Sequence, residues 1–142
     1  EGKYIGRLIN LIKKYPFVPI IGNGKNKLQP VYIQDLVSII IYCINNKVEG
    51  IFLVASNLVI TYNELVDLII KRLRLKRIKI FLPIIIIKPF AYLLQNLLKN
   101  PQITTVQLDN IKINQDYDIK YIKKIFNINP ISIDKGLDLI IR

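Results

Sequence analysis

Apolar and polar positions along the chain follow two periods in turn, which predicts helices and strands that alternate. Residues 3–15 carry apolar side chains at helical spacing, and residues 18–21 form a short extended run. Residues 35–46 predict a helix that is apolar on nearly every side and therefore buried. Residues 51–55 are a continuous apolar run typical of an interior strand of a parallel sheet. This order predicts an α/β fold.

The second half of the chain continues the alternation. Thr61 and Glu64 have the spacing of a capping box, which predicts a helix to about residue 75. The further predicted elements are an extended piece at 77–82, a helix at 83–99 with a kink or restart near Pro89, and short helices beginning near 104, 118 and 134. No internal repeat or long linker interrupts them.

The loop after the first predicted strand is the best candidate for a ligand-binding wall. Gly22 and Gly24 allow positive φ and a close backbone approach to a ligand. A short strand is predicted at residues 31–33, and Asp35 is the predicted cap of the following helix. The side chains that could contact a ligand are Lys25, Lys27, Gln29 and Tyr32. The alternative interpretation is a surface loop with solvated lysines.

Composition excludes several kinds of chemistry. The 142 residues, 51% of them hydrophobic, are enough for one domain with a core. The chain has no histidine and one cysteine, Cys43, which excludes Ser-His-Asp triads, histidine or thiolate metal sites and internal disulfides. Cys43 is predicted to be a buried small hydrophobe. The absence of disulfides fits a reducing, cytoplasmic compartment.

The charge of the chain favours anionic partners. Lysine and arginine number 21 against 10 acidic residues, a formal charge of +11. The basic run at residues 71–79 predicts either an anion-binding patch or a helix C-terminus followed by a solvated strand. Residues 80–98 are apolar but interrupted, which favours a core helix or peripheral membrane contact over a membrane span. Nucleic acid is an unlikely partner, because aromatic residues do not alternate with the basic ones.

The ordered motifs resemble the C-terminal half of extended and atypical short-chain dehydrogenase/reductases, the NAD-dependent epimerase/dehydratase family. The segments that carry the resemblance are 19–24 (PIIGNG), 29–35 (QPVYIQD), 50–54 (GIFLV), 60–65 (ITYNEL), 104–108 (TTVQL), 129–131 (NPI) and 136–137 (GL). The sequence of residues 29–32 (QPVY) is similar to that of one branch of the family, which contains nucleotide-sugar epimerase-like proteins and the nucleotide-binding accessory subunit of respiratory complex I.

The sequence also departs from the family pattern. A G-x-x-G-x-x-G fingerprint is absent, and no tyrosine is followed four residues later by lysine. The chain starts at Glu1 without methionine and enters a helical pattern at once. We therefore expect it to be the C-terminal part of a longer protein, whose cofactor-binding part lies upstream of Glu1. Leu28 stands where many nucleotide-sugar members carry an arginine that contacts the diphosphate, a role that Lys25 or Lys27 can take as point charges.

The resemblance implies a Rossmann-like NAD(P)-binding fold, of which residues 1–142 are the C-terminal portion with its small substrate lobe. It implies an NAD(P)-dependent epimerase, dehydratase or reductase that acts on a nucleotide-sugar or related polar small molecule, with NAD or NADP bound mainly by the N-terminal Rossmann portion. Gly22, Gly24, Lys25, Gln29 and Tyr32 are then the expected substrate-binding residues, and no catalytic or metal-ligating residue is expected in this segment. The alternative is a non-catalytic nucleotide-binding scaffold associated with a membrane or a respiratory complex.

Overall fold

The computed structural model describes residues 3–97 and 104–141, and it confirms the α/β class. The predicted helix ends at Lys99 and Arg142 lie outside the described residues. Within these ranges the elements are α1 (Lys3–Lys14), β1 (Phe17–Ile21), β2 (Lys27–Leu28), α2 (Ile33–Asn45), β3 (Ile60–Thr61), α3 (Tyr62–Arg72), β4 (Ile78–Leu82), α4 (Ile84–Leu97), α5 (Thr105–Asn110), α6 (Lys120–Phe126) and α7 (Ile133–Ile140).

Two strand pairs form the described sheets. β1 and β4 are parallel, with Phe17 opposite Ile78 and Ile21 opposite Leu82. β2 and β3 form a short antiparallel pair. Because β1 and β4 are parallel, their carboxyl ends lie at the same edge, which is where ligands bind in many α/β proteins.

The main core lies between α1, α3 and α7 on one face of β1. Apolar residues recur every three or four positions on α1 and α3, so each helix presents one stripe to the core. The buried members are Leu8, Ile9, Ile12, Val18, Ile60, Leu65, Val66, Ile69 and Leu137.

A second apolar cluster joins α2 and α6. Ile39, Ile122 and Phe126 are buried in it, and Cys43, which is partly exposed, packs against it. The ring of Phe52 contacts that of Phe126 edge-on at 5.1 Å between centroids. This Phe126 cluster holds the segment after α2 against α6.

The predicted capping box is confirmed at the start of α3. Thr61 Oγ1 accepts from the Glu64 amide, and Glu64 Oε2 accepts from the Thr61 amide at 2.8 Å. Hydrogen bonds from the backbone and hydroxyl of Thr61 lower the pKa of Glu64. Two amides that no helical carbonyl can reach are thereby paired.

The beginning of α2 differs from its prediction. Residues 31–33 are not a strand: the ladder there is β2, which ends before Pro30, and α2 starts at Ile33 with Tyr32 at the N-cap. Asp35 lies inside the first turn and does not cap the helix. Its carboxylate instead accepts from the amide of Ile131 at 2.8 Å, which ties α2 to the segment before α7.

Two predictions of burial were also wrong. On α2, Ile39 is buried, whereas Val37, Ile40, Ile41 and Ile44 are exposed. Residues 51–55 do not form a strand with any described residue, and Ile51 and Leu53 are exposed. In both places the apolar pattern calls for a neighbouring layer that the described part of the chain does not supply.

The long apolar helix α4 runs from Ile84 to Leu97 with Pro89 inside it, so the predicted restart is wrong, while the predicted kink stays a prediction. Its buried residue is Ala91, and most of its large apolar side chains are exposed. Among the described residues, no helix combines the length and apolar character that a bilayer crossing needs.

Candidate functional site

A polar cavity of about 400 Å³ lies at the carboxyl edge of β1 and β4. One side is the turn that follows β1, and Ile84, at the start of α4, contributes an apolar wall. The remaining side is the segment after α5. The lining residues are Ile21, Gly22, Asn23, Lys25, Asn26, Ile84, Ile111, Lys112 and Asn114.

The turn that lines the cavity is fixed by backbone hydrogen bonds. The Gly22 amide donates to Leu82 O at 2.8 Å, which continues the pairing of β1 with β4. Gly24 O and Asn26 O accept from the amides of Asn63 and Tyr62, at the N-terminus of α3. The residues between β1 and β2 therefore form a preorganised wall attached to β4 and α3.

Gly22 and Gly24 have positive φ for different purposes. Gly22 (φ +74°) lines the cavity, and a Cβ there would meet Ile84 Cδ1 at 3.4 Å, an ordinary contact. Gly24 (φ +66°) is buried, and a Cβ there would lie 2.9 Å from Ile20 Cγ2 and 3.1 Å from Asn63 Cβ. Gly22 thus supplies a backbone conformation that the cavity wall needs, while Gly24 in addition allows the turn to pack on α3.

Two lysines and three asparagines give the cavity its chemistry. Lys25 is exposed, and no carboxylate of the described residues lies within ion-pair distance of its ammonium group. Lys112 approaches Asp109 Oδ1 at 3.6 Å. Ammonium and amide N–H groups are donors that suit an anion with several oxygen atoms, such as a phosphate or diphosphate. The arrangement can bind an anion and orient it.

Asp109 faces the second cavity lysine. Its carboxylate accepts from Lys88 Nζ at 3.0 Å as well as facing Lys112. The hydrogen bond from Lys88, with smaller contributions from the charges of Lys88 and Lys112, lowers the pKa of Asp109. Asp109 thus faces both Lys88 and Lys112, and Lys112 is the one of the two that lines the cavity.

Lys27, the other lysine expected to contact a ligand phosphate, has partners within the protein for its ammonium group, its amide and its carbonyl. Its ammonium group pairs with Asp116 at 2.6 Å, its amide donates to Asn114 Oδ1 at 2.9 Å, and its carbonyl accepts from Gln115. These contacts hold residues 114–116 against β2. They bring Asn114 and Lys112 to the cavity from a part of the chain almost ninety positions away.

Gln29 is a buried connector between three segments. Its amide nitrogen donates to Ser56 O at 2.8 Å and to Tyr117 O at 3.1 Å, and its Oε1 accepts from the Tyr117 amide. All these partners are backbone atoms. Its polar group is thus paired within the fold.

The expected substrate-binding residues do not all meet at the cavity. Gly22 and Lys25 line it, and Gly24 supports the wall from behind. Gln29 and Tyr32 are not among its lining residues; Tyr32 occupies the N-cap position of α2 without a side-chain capping bond and lies near Gly136 of α7.

The sequence reasoning missed Lys112 and Asn114, because no local motif marks them. A usable signal was the polar stretch at residues 109–118, which has no apolar period and precedes a helix.

Three of the six basic residues in the run at 71–79 have side-chain partners within the described fold. Arg72 pairs with Asp134 and Asp138 of α7, and Lys79 pairs with Asp67 of α3. Arg77 donates to the carbonyls of Ile12 and Lys13 at the end of α1. These contacts support the structural interpretation of the run over an anion-binding patch.

The described residues do not fit the phosphates of a dinucleotide. Such a site needs a glycine-rich turn that leads directly from a strand into a helix N-terminus. The glycine turn after β1 leads instead into β2, and β4 reaches α4 through Pro83 and a run of isoleucines. The described residues also bring no three of His, Cys, Asp and Glu together as a metal site.

Comparison with known proteins identifies the fold. No family model matches the sequence, and no curated protein matches it. Among solved structures, the chain is similar to dTDP-4-dehydrorhamnose reductase from Bacillus anthracis in complex with NADP, with a TM-score of 0.59, 14% identity, and coverage of 97% of this chain and 41% of that one. It is also similar to a dTDP-4-dehydrorhamnose reductase from Clostridium acetobutylicum, with a TM-score of 0.55, 13% identity, and coverage of 100% and 45%. The chain therefore spans less than half the length of these structures, and its α/β fold resembles the part of their fold that it covers.

Proposed function

We propose that this chain is the substrate-side part of an NAD(P)-dependent reductase of a nucleotide-sugar. The observation that carries the proposal is the polar cavity at the carboxyl edge of β1 and β4. It combines the ammonium group of Lys25 and the amides of Asn23 and Asn26, on the turn after β1, with the ammonium group of Lys112 and the amide of Asn114, on the segment after α5. That set of donors matches the diphosphate of a nucleotide-sugar.

Within this proposal Lys25 and Lys112 hold the diphosphate as point charges. Leu28 stands at the position of the family's diphosphate-binding arginine, and Lys25 supplies the positive charge instead. Gly22 allows the ligand to approach the backbone. The Asn23, Asn26 and Asn114 side chains supply orienting hydrogen bonds. The cofactor would supply the hydride. It would be bound by residues outside this sequence, since the described residues do not form a binding site for its phosphates.

The structural neighbours support a reductase within the broader set of epimerases, dehydratases and reductases. Both are named as reductases of a dTDP-sugar, and one was solved with NADP. The alternative of a non-catalytic scaffold subunit receives no support from them. Domain organisation, with an N-terminal Rossmann portion as the partner of residues 1–142, is part of the proposal.

The test uses the complete gene product that contains this sequence. We expect it to oxidise NADPH in the presence of a dTDP-4-dehydro-sugar, followed at 340 nm, and the double substitution Lys25→Gln/Lys112→Gln to raise KM by roughly tenfold or more, about 1.4 kcal/mol. Lys120→Gln is the control, because Lys120 lies on α6 and is highly exposed. The absence of any NAD(P)H-dependent turnover with a panel of nucleotide-sugars would contradict the proposal.

A further inference from the structure

The carboxylate of Asp109 is shared unequally by two lysines. Both of its oxygens accept from Lys88 Nζ, at 3.0 and 3.1 Å. The ammonium group of Lys112 lies 3.6 Å from Asp109 Oδ1, which is longer than a good hydrogen bond. The hydrogen bond from Lys88 is also the main cause of the lowered pKa of Asp109, ahead of Lys112. Asp109 therefore binds Lys88 and holds Lys112 only loosely.

The geometry gives Lys112 a ready alternative partner. Lys112 and Asp109 are three positions apart, and the Lys112 amide donates to the Asp109 carbonyl at 3.1 Å, so one turn keeps their side chains adjacent. Lys88 uses both carboxylate oxygens, the only acceptors on that side chain. If Lys88 were removed, both oxygens would become available to Lys112, whose charge would then be paired with Asp109 rather than with a ligand.

Lys88 itself lies outside the polar cavity. It is the one charged residue of α4, and it lines a separate, mostly apolar hollow together with Ile85 and Tyr92. Lys112, in contrast, lines the cavity. Any effect of Lys88 on a ligand in the cavity must therefore pass through Asp109 or act as a charge at a distance.

We propose that Lys88 is a positioning residue of the diphosphate site, which occupies Asp109 and thereby keeps the ammonium group of Lys112 available to the ligand. The proposal rests on the proposed function, which assigns the cavity to the diphosphate of a nucleotide-sugar. The side chains of Lys88, Asp109 and Lys112 are each about half exposed. Solvent weakens ion pairs at such positions, so the effect on ligand affinity is a few-fold.

Binding of dTDP to the complete gene product tests the role of Lys88. We expect Lys88→Met to weaken binding about threefold, because Asp109 then pairs with Lys112. Methionine is a good helix former and keeps a long unbranched side chain on α4. Lys88→Arg keeps a cation that donates to Asp109, so it should bind dTDP as the wild type does. An unchanged affinity in Lys88→Met would overturn the proposal.

A second pair of variants separates positioning from the loss of a charge. The neutral side chain of Asp109→Asn cannot form an ion pair with Lys112, so Lys112 is available whether or not Lys88 is present. We therefore expect Asp109→Asn and Asp109→Asn/Lys88→Met to bind dTDP equally. If Lys88 were only a distant positive charge, its removal would weaken binding by the same factor in both backgrounds. That result would contradict the proposal.

The NMR signals of lysine ammonium groups give a readout that needs no ligand. Protons of a hydrogen-bonded ammonium group exchange more slowly with water, which sharpens the signal. We expect the Lys112 signal to sharpen in Lys88→Met and the Lys120 signal to stay unchanged, since Lys120 faces a different carboxylate, that of Asp118. An unchanged Lys112 signal would refute the proposal.

The two readouts distinguish this proposal from the proposed function. A protein in which the Lys112 signal responds but the wild type binds no dTDP would refute the proposed function and leave the competition for Asp109 supported. Binding of dTDP by the wild type without a response of Lys112 would do the reverse.

Discussion

Single atoms decide which residues of the cavity wall can vary. Gly22 and Gly24 look equivalent in the sequence, yet a Cβ is accommodated at the first position and collides at the second. Both need positive φ, which costs a residue with a side chain about 1–2 kcal/mol. The difference between them is therefore a matter of packing on Ile20 and Asn63.

We predict that Gly24→Ala destabilises the protein by roughly 3 kcal/mol or more, the sum of backbone strain and overpacking. Gly22→Ala, with the same backbone strain and an ordinary contact, should cost about 1–2 kcal/mol. Urea unfolding of the two variants measures the difference. Equal losses of stability would show that the wall does not pack on α3 as described.

Gln29 is predicted to act on stability. Gln29→Leu leaves the buried carbonyl of Ser56 and the partly buried backbone groups of Tyr117 unpaired, and we expect a loss of about 3 kcal/mol in the free energy of unfolding. Gln34→Leu is the control, because Gln34 is exposed on α2. If Gln29→Leu left stability unchanged, the connecting role would be wrong.

At the scale of elements, the patterns with a local cause were the most predictable. The spacing of Thr61 and Glu64 gave the start of α3, because a capping box involves four residues and their own backbone. β1, β4 and the helices followed from their apolar periods. The cap of α2 was misplaced because Asp35 bonds to Ile131, a contact across 96 positions that no local pattern contains.

In the candidate site too, residues within a local pattern could be predicted from the sequence, and residues placed by distant contacts could not. Gly22 and Lys25 could be predicted, since both lie in the turn after a strand. Lys112 and Asn114 could not, because the contact that brings their segment to the cavity, from the Lys27 amide to Asn114 Oδ1, joins residues 87 positions apart. Residues 51–55 have the composition of a strand, but a strand exists only with a partner, and the described chain holds none for it.

The capping box also predicts a dependence on pH. The pKa of Glu64 is lower in the folded protein than in the unfolded chain, so its ionised form favours folding. That contribution is fully present above the unfolded pKa, about 4.3, and is lost as pH falls through the folded value. The isosteric Glu64→Gln keeps an oxygen for the Thr61 amide but does not titrate here. We expect the wild type to exceed it in unfolding free energy at pH 7, and the difference to shrink below about pH 4.3. A difference that is constant from pH 7 to pH 3 would contradict the assignment.

At the scale of the whole molecule, two regions of the surface differ in chemistry. The polar cavity lies where β1 and β4 end, and none of its lining residues belongs to the exposed apolar side chains of α2 or of residues 51–53. One suits an anionic ligand and the other suits a polypeptide.

Binding of dTDP to the protein tests the central claim most directly. Isothermal titration of the wild type, of Lys25→Gln/Lys112→Gln and of Lys120→Gln compares the cavity with an exposed control lysine. We expect dTDP to bind the wild type and the control alike and the double variant at least about tenfold more weakly, with an affinity that falls as salt rises. Equal affinity in all three proteins would contradict the assignment of the cavity as the diphosphate site.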